Sequence, residues 1–181
     1  MFIKFFKADL PSFIEKGSML KVEIKLNKIL TQQEYNKELE LKDEIKEDGD
    51  VEEQKSLLIY LNKHKIITPP LENGLYYLPI KEGSGTPVEQ GKTIIINYRG
   101  FFLDGKQFDS TYENEPMEFI FMDGQEQLIK GLEKGICLMK EGGKAKFIIS
   151  SQLAFNENGS STSIVPPYTT VIYEVEIVKI K

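Results

Sequence analysis

The sequence predicts an α+β protein in which an antiparallel half-barrel sheet wraps around one short helix, preceded by a helical segment and a partial β segment. Two observations lead to this prediction. Residues 67–181 hold several short runs of alternating apolar and polar residues, the period-two pattern of half-buried strands. Residues 31–66 are instead rich in Glu, Lys and Leu, which favours helix. We therefore expect a partial β segment at 1–30, a helical linker at 31–66 and a β-rich domain at 67–181.

The composition and charge narrow the possible classes of function. Hydrophobic residues make up 40% of the 181 residues, which is typical of a globular protein, and no stretch approaches the ~20 apolar residues of a membrane helix. The net charge of −5 opposes binding to a phosphate backbone. No basic patch with interleaved aromatic residues is present either. Nucleic acid is therefore not an expected partner.

The sequence holds one cysteine and one histidine, which limits metal and thiol chemistry. Cys137 has no partner for a disulfide within the chain. We expect it to be a small buried side chain rather than a catalytic thiol, because His64 lies in a different segment. No metal site and no cofactor are expected.

The sequence patterns of residues 1–30 and 31–66 predict one strand and two helices. Residues Leu20–Leu26 alternate apolar side chains with Lys and Glu, which predicts a half-buried strand. Thr31 and Glu34 match a capping box at the start of a first helix. The Asp48–Asp50 segment, with a central glycine, predicts an interruption, after which Asp50 and Glu53 are expected to cap a second helix. The apolar stripe of that second helix consists of Leu57, Leu58 and Leu61.

The third region begins after Pro69 and Pro70, which end the helix. Residues 75–78 form a short predicted strand, and residues 92–102 form a longer one. Asp104-Gly105 then supplies the tight turn of a hairpin into residues 106–108.

The rest of the domain alternates one helix with further strands. Phe119 and Phe121 indicate a strand, and apolar residues at helical spacing predict a helix at 128–136, with Gly135 as its stop. Two more strands, at 144–150 and 170–181, flank a polar loop at 152–167. In the first strand the alternation places Ala145, Phe147 and Ile149 on the inner face and Ile148 on the outer face. In the second strand it places Val171, Tyr173, Val175 and Ile177 on one face and Ile172 on the other.

Three motifs carry a resemblance to a known family. The first is Tyr98-Arg-Gly-Phe-Phe-Leu-Asp-Gly-Lys-Gln-Phe-Asp-Ser110. The second is Leu128-Ile-Lys-Gly-Leu-Glu-Lys-Gly135, and the third is Ile164-Val-Pro-Pro-Tyr168 followed by the strand from Val171. Together they resemble the signature, central helix and closing loop of the FKBP-type peptidyl-prolyl cis-trans isomerases. Their order and spacing agree with that family across residues 71–181.

The resemblance implies an isomerase, or rotamase, that acts on proline-containing polypeptides and assists protein folding. Such an enzyme needs an apolar pocket that favours the twisted amide, and no nucleophile. The implied catalytic residues are Tyr98, Phe108, Asp109, Leu132, Phe155 and Tyr173. The implied substrate-binding residues are Met117, Leu128, Ile129 and Ile164. Leu132 is expected at the pocket floor, Asp109 near the substrate carbonyl, and the backbone N–H of Ile129 as a donor to the substrate.

Two departures from the family pattern leave a second function open. The chain has no tryptophan, so Leu132 occupies the floor position where the family commonly has that residue. Phe155 stands where the family usually has tyrosine, so one hydroxyl donor is missing. We expect weaker catalysis, and the alternative is a non-catalytic FKBP-like module that binds polypeptides as a chaperone.

The amino-terminal region raises a question of organisation and location. Residues 20–29 share the alternation of residues 171–180, so they resemble the tail of a degenerate FKBP-like domain whose upstream half, or a partner strand, is missing. The alternative is a coincidental amphipathic pattern. Asp9 and Pro11 interrupt the first apolar run, so no export signal is expected. The family resemblance suggests a bacterial cell envelope or periplasm.

Overall fold

The computed structural model describes residues 30–72, 74–112, 114–122 and 127–181. Residues 39–181 form one compact unit, which holds every strand reported below. The predicted strand at Leu20–Leu26 lies outside the described residues, and its relation to a second domain stays a prediction. Within the part of the chain that the structure describes, no helix is both long and apolar enough to cross a membrane.

A single antiparallel sheet organises the described chain. Its strands are β1 (Leu75–Lys81), β2 (Thr93–Phe102), β3 (Gln107–Ser110), β4 (Met117–Ile120), β5 (Lys144–Ile149) and β6 (Val171–Ile180). Their order is β1-β5-β6-β2-β3, and β4 also pairs with β2. One edge of β2 pairs with β6, and the other edge pairs with β4 and then with β3. The predicted α+β class with an open antiparallel sheet is confirmed.

The hairpin between β2 and β3 forms where the sequence predicted it. Gly105 has a φ of 91°, in the left-handed region that favours glycine. Its N–H donates to the carbonyl of Phe102 at 3.0 Å. The Asp104 carboxylate accepts from the N–H of Lys106 at 2.8 Å. This turn returns the chain along β2 and places the next residues of β3 beside it.

Helix α2 (Lys130–Ile136) packs against the inner face of the sheet. It begins later than predicted, because Ile129 is its extended N-cap residue. Gly135 was expected to end it but lies inside the helix. A Cβ at Gly135 would overlap the ring of Phe147, so glycine is needed there for close helix–sheet packing. The glycine therefore marks an approach to β5 and not a stop.

Cys137 follows this helix as its C-cap residue. Its side chain was expected to be buried, and it is exposed. The thiol donates to the carbonyl of Glu133 at 3.4 Å. The last buried position of α2 is Ile136, and Cys137 is the next residue along the chain. The expectation that the Cys137 side chain is buried was therefore wrong.

Helix α1 (Gln32–Lys63) is continuous. The capping box at its start is confirmed, because the N–H of Thr31 donates to the Glu34 carboxylate at 2.8 Å and the N–H of Glu34 donates to the Thr31 hydroxyl oxygen at 3.3 Å. The interruption predicted at Asp48–Asp50 is wrong. The ring of Tyr168 occupies the space where a Cβ of Gly49 would lie. This packing offsets the cost of a helical glycine, ~1 kcal/mol.

The carboxyl-terminal half of α1 covers part of the outer face of the sheet. Leu57 and Leu61 of the helix form a buried cluster with Ile148 of β5 and Ile172 of β6. Alternation had placed Ile148 on the outer face and Ile172 on the face opposite Tyr173, and both placements are correct. The helix explains why these two isoleucines stand on the outer face and are buried there.

Candidate active site

A cleft of about 320 Å³ lies beside β3 and β6. Its lining residues are Phe108, Asp109, Phe155, Ser160, Ser161, Thr162, Ile164, Val165 and Tyr173. Half of the site residues predicted from the sequence are in this set. The lining residues come from two strands and one loop. Strand β3 supplies one wall, and β6 supplies the base of that wall. The loop between β5 and β6 supplies the other wall.

Strand pairing brings the first wall together. Gly100 of β2 lies opposite Asp109 of β3 on one side and opposite Tyr173 of β6 on the other. A Cβ at Gly100 would lie 2.7 Å from the ring of Phe108 and 3.2 Å from that of Tyr173. Glycine at this position therefore lets both rings close over β2.

The aromatic rings of the wall fix one another. Phe108 meets Tyr173 edge to face, with ring centroids 5.7 Å apart and an interplanar angle of 88°. Phe102 also packs against Phe108, with ring centroids 4.9 Å apart. Such pairs favour defined ring orientations beyond simple burial. The cleft therefore has a preformed apolar surface on its strand side.

Among the described residues that line the cleft, Asp109 is the one carboxylate, and its orientation is fixed. Its Oδ2 accepts from the Tyr98 hydroxyl at 2.9 Å, and its Oδ1 accepts from the N–H of Ser110 at 2.8 Å. Burial, the hydrogen bond to Asp109 and its charge raise the pKa of Tyr98 to about 12. Burial, followed by the charge of Asp109, also raises the pKa of Tyr173. Both phenols therefore remain protonated at neutral pH.

The pKa of Tyr98 leads to a test of this hydrogen bond. We expect Tyr98→Phe and the unchanged protein to show the same tyrosinate absorbance at pH 10.0, the ordinary pKa of tyrosine, because Tyr98 is still protonated there. Tyrosine ionises more readily in the unfolded chain, so stability from this group is present below pH 10 and is lost as the pH rises towards about 12. An absorbance that is lower in the variant at pH 10.0 would contradict the assignment.

The second wall is the loop between β5 and β6. Phe155 follows a short 3₁₀ turn at Ser151–Leu153. Farther along, the N–H of Ser160 donates to the carbonyl of Val165, and the N–H of Val165 donates to the Ser160 hydroxyl oxygen, both at 2.9 Å. These bonds hold Ile164 and Val165 at the cleft. Phe155 carries no hydroxyl, so this wall is apolar where the family usually has a donor.

The other predicted site residues lie around the cleft without lining it. Leu132 is 4% exposed and belongs to the buried cluster that contains Tyr173. Met117, Leu128 and Ile129 are partly buried against that same cluster. Tyr98 reaches the site through Asp109, and its ring centroid lies 5.8 Å from that of Tyr173. Their roles in binding or catalysis, including that of the Ile129 N–H, stay predictions.

Four lining residues were not predicted from the sequence. These are Ser160, Ser161, Thr162 and Val165. Short polar residues in a loop carry no periodicity that would point to a site, although Val165 lies within a motif that was recognised. Among the described residues, no group of three or more His, Cys, Asp or Glu side chains could hold a metal ion.

Comparison with known proteins relates this geometry to a family. The model of the FKBP-type peptidyl-prolyl cis-trans isomerase family matches residues 84–178. A probable FKBP-type peptidyl-prolyl cis-trans isomerase of Haemophilus influenzae is 36% identical over 110 residues, covering 60% of this chain and 44% of the relative. FkpA of Escherichia coli K12 is 35% identical over 109 residues, covering 60% of this chain and 38% of FkpA. The chain thus spans less than half the length of these two relatives.

A shorter relative and two solved structures agree with this result. An FK506-binding protein of Neisseria meningitidis serogroup B is 36% identical over 107 residues, covering 59% of this chain and 96% of that protein. The crystal structure of FkpA from Escherichia coli matches with a TM-score of 0.64 at 27% identity, over 84% of this chain and 74% of the other. A peptidyl-prolyl cis-trans isomerase of Pseudomonas syringae shares the fold, with a TM-score of 0.60 at 20% identity, over 75% of this chain and 95% of the other. Because the family match covers more than half of the residues and includes both walls of the cleft, the chain belongs to the FKBP-type peptidyl-prolyl cis-trans isomerase family.

Proposed function

We propose that this protein catalyses cis–trans isomerisation of Xaa-Pro bonds by binding the twisted amide in the cleft beside Phe108 and Tyr173. The observation that supports the proposal most is the cleft itself, which combines a preformed aromatic wall with one oriented carboxylate. Its volume of about 320 Å³ is at the lower end for small-ligand sites, which suits a prolyl ring and its neighbours.

The reaction requires rotation and no bond cleavage. Amide resonance gives the planar forms a barrier of ~18–20 kcal/mol, and resonance is weakest when the bond is twisted. A site that binds the twisted form more tightly than either planar form lowers that barrier. Apolar walls contribute because they disfavour the charge-separated planar amide relative to water. The rings of Phe108 and Tyr173, which pack over Gly100, are proposed to supply such walls.

Asp109 is proposed to act on the carbonyl carbon of the twisted amide. When the nitrogen lone pair no longer donates, that carbon is more positive than in the planar amide. A carboxylate that is already oriented by Tyr98 and by the N–H of Ser110 favours this charge distribution without reorganising. Leu132 and Phe155 replace the family's usual tryptophan and tyrosine, so we expect activity at the weaker end of the family.

A protease-coupled assay on an Xaa-Pro peptide tests the function. We expect the isomerisation rate to rise in proportion to protein concentration, and Asp109→Ala to lower kcat/KM by about tenfold, the upper end for one lost polar interaction. A rate equal to that of buffer at micromolar protein would contradict the proposal. If the peptide then bound to both Asp109→Ala and Tyr98→Ala as it does to the unchanged protein, the non-catalytic binding module would be the better description.

Substrates and location follow from the same proposal. Uncatalysed prolyl isomerisation takes tens to hundreds of seconds and limits folding, so we propose that proline-containing polypeptides are the substrates and that the protein assists their folding. A location in the bacterial cell envelope is proposed from the family resemblance. Fractionation of the native host, with the protein detected by antibody, would test it.

A further inference from the structure

A buried carboxylate of α1 meets both ends of one wall of the cleft. The wall belongs to residues 151–170, here named the cleft loop. Glu53 is 7% exposed, and its Oε1 accepts from the N–H of Ser151 at 2.6 Å and from the hydroxyl of Thr170 at 2.7 Å. Its Oε2 accepts from the hydroxyl of Ser151. One side chain therefore joins the first and last residues of the cleft loop.

The chemistry of this contact indicates more than general packing. Burying a carboxylate is costly unless it is fully hydrogen-bonded, and an apolar residue would serve better for packing alone. Ser151 and Thr170 are themselves buried, at 1% and 2% exposed. Their donors would lack partners without the carboxylate. The distinctive effect of Glu53 is to hold two loop ends at a fixed separation.

Two neighbouring contacts of α1 reach the same loop. The ring of Tyr168 fills the space above Gly49, and Lys46 forms an ion pair with Glu157 at 4.0 Å. Positions 46, 49 and 53 are spaced by three and four residues, so they share one face of the helix. That face of α1 supports the cleft loop over about two turns.

The cleft depends on where this loop lies. Phe108, Asp109 and Tyr173 are held by strand pairing, whereas the opposite wall is carried entirely by the cleft loop. Loops are the least stable part of most structures and open locally at little cost. The distance between the two walls therefore depends on how the loop ends are anchored.

We propose that Glu53 is a positioning residue of the active site, and that α1 acts through its carboxylate to set the separation between the two walls of the cleft. The proposal rests on the proposed isomerase function. Glu53 touches no substrate in this account. It acts by holding Ser151 and Thr170, and through them Phe155 and Val165.

Three variants test the role of the carboxylate. We expect Glu53→Ala to lower kcat/KM for an Xaa-Pro peptide by about tenfold, because a loosely placed wall no longer fits the twisted amide. Glu53→Gln should restore it to within about twofold, because the amide oxygen still accepts from two donors and the amide N–H donates to the Ser151 hydroxyl oxygen. Leu61→Ala is the matched control, since it weakens the same helix against the sheet without touching the cleft loop.

Amide hydrogen exchange gives a second readout that does not need activity. The N–H of Ala154, bonded to the Ser151 carbonyl, and the N–H of Ser160, bonded to the Val165 carbonyl, report on the cleft loop. Both should exchange about tenfold faster in Glu53→Ala and at the usual rate in Leu61→Ala. All variants are compared at a temperature where circular dichroism shows them folded.

The outcomes separate this proposal from the proposed function. If Glu53→Ala keeps normal kcat/KM, or if Leu61→Ala loses as much activity, the positioning role is wrong. If Glu53→Gln is as inactive as Glu53→Ala, the hydrogen bonds to Ser151 and Thr170 do not explain the effect of Glu53 on activity. If the unchanged protein shows no isomerase activity, the proposed function fails, and loop exchange alone then decides whether Glu53 holds the wall.

Discussion

Replacing Phe108 with alanine is expected to lower kcat/KM for Xaa-Pro isomerisation by about 100-fold. The Phe108 ring lines the cleft and packs edge to face on Tyr173, so its removal takes away apolar contact with the twisted amide and lets water in. Loss of such a contact is worth about 2–3 kcal/mol, which corresponds to this change in rate. The protease-coupled assay, run at several protein concentrations, measures it.

The matched control for this prediction is Phe108→Leu. Leucine keeps most of the apolar bulk, so the variant should retain kcat/KM to within about tenfold. Circular dichroism and urea unfolding should show that both variants are folded under the assay conditions. Equal activity in Phe108→Ala and the unchanged protein would mean that the amide is bound elsewhere.

Replacing Phe147 with alanine is expected to lower the free energy of unfolding by about 3–5 kcal/mol. Phe147 is 0% exposed and lies opposite Tyr173 in the pairing of β5 with β6. Its ring fills the space above Gly135 of α2 and lies 5.5 Å from the ring of Tyr77. A cavity at this point would separate α2 from the sheet. Urea denaturation followed by circular dichroism measures the loss.

A surface substitution on a neighbouring strand is the control. Ile80 of β1 is 53% exposed, so Ile80→Ala should change the free energy of unfolding by less than about 0.5 kcal/mol. A loss of less than about 1 kcal/mol in Phe147→Ala would show that the core does not centre on this ring.

Local patterns were enough to predict the strands of the sheet, and the family resemblance supplied the residues of one wall of the cleft. Alternation identifies β5 and β6 because their inner-face residues are apolar and are interleaved with Lys and Glu, and Asp104-Gly105 identifies the hairpin because few residues accept its backbone angles. Once β2 and β3 pair through that turn, Gly100 must lie near Asp109. The motif that carried the family resemblance therefore specifies the geometry of the strand wall as well.

Long-range contacts account for what local patterns did not predict. Glycine in Asp48–Asp50 resembles a helix break, and only the ring of Tyr168, far along the chain, shows why the helix continues. The local pattern predicts that Glu53 caps a second helix with Asp50, whereas its partner Ser151 is 98 residues away. The polar residues of the cleft loop give no periodic signal. Sequence patterns thus describe the strands better than the supports of the loop wall.

One measurement tests the central claim most directly: nuclear Overhauser contacts between a proline peptide and the protein, recorded with exchange peaks between the cis and trans peptide in the same sample. We predict exchange peaks that depend on the protein, together with contacts from the proline ring protons to the ring protons of Phe108 and Tyr173. Exchange peaks accompanied by contacts only to the groove lined by Leu57 and Tyr76 would contradict the account, because catalysis would then occur away from the proposed cleft.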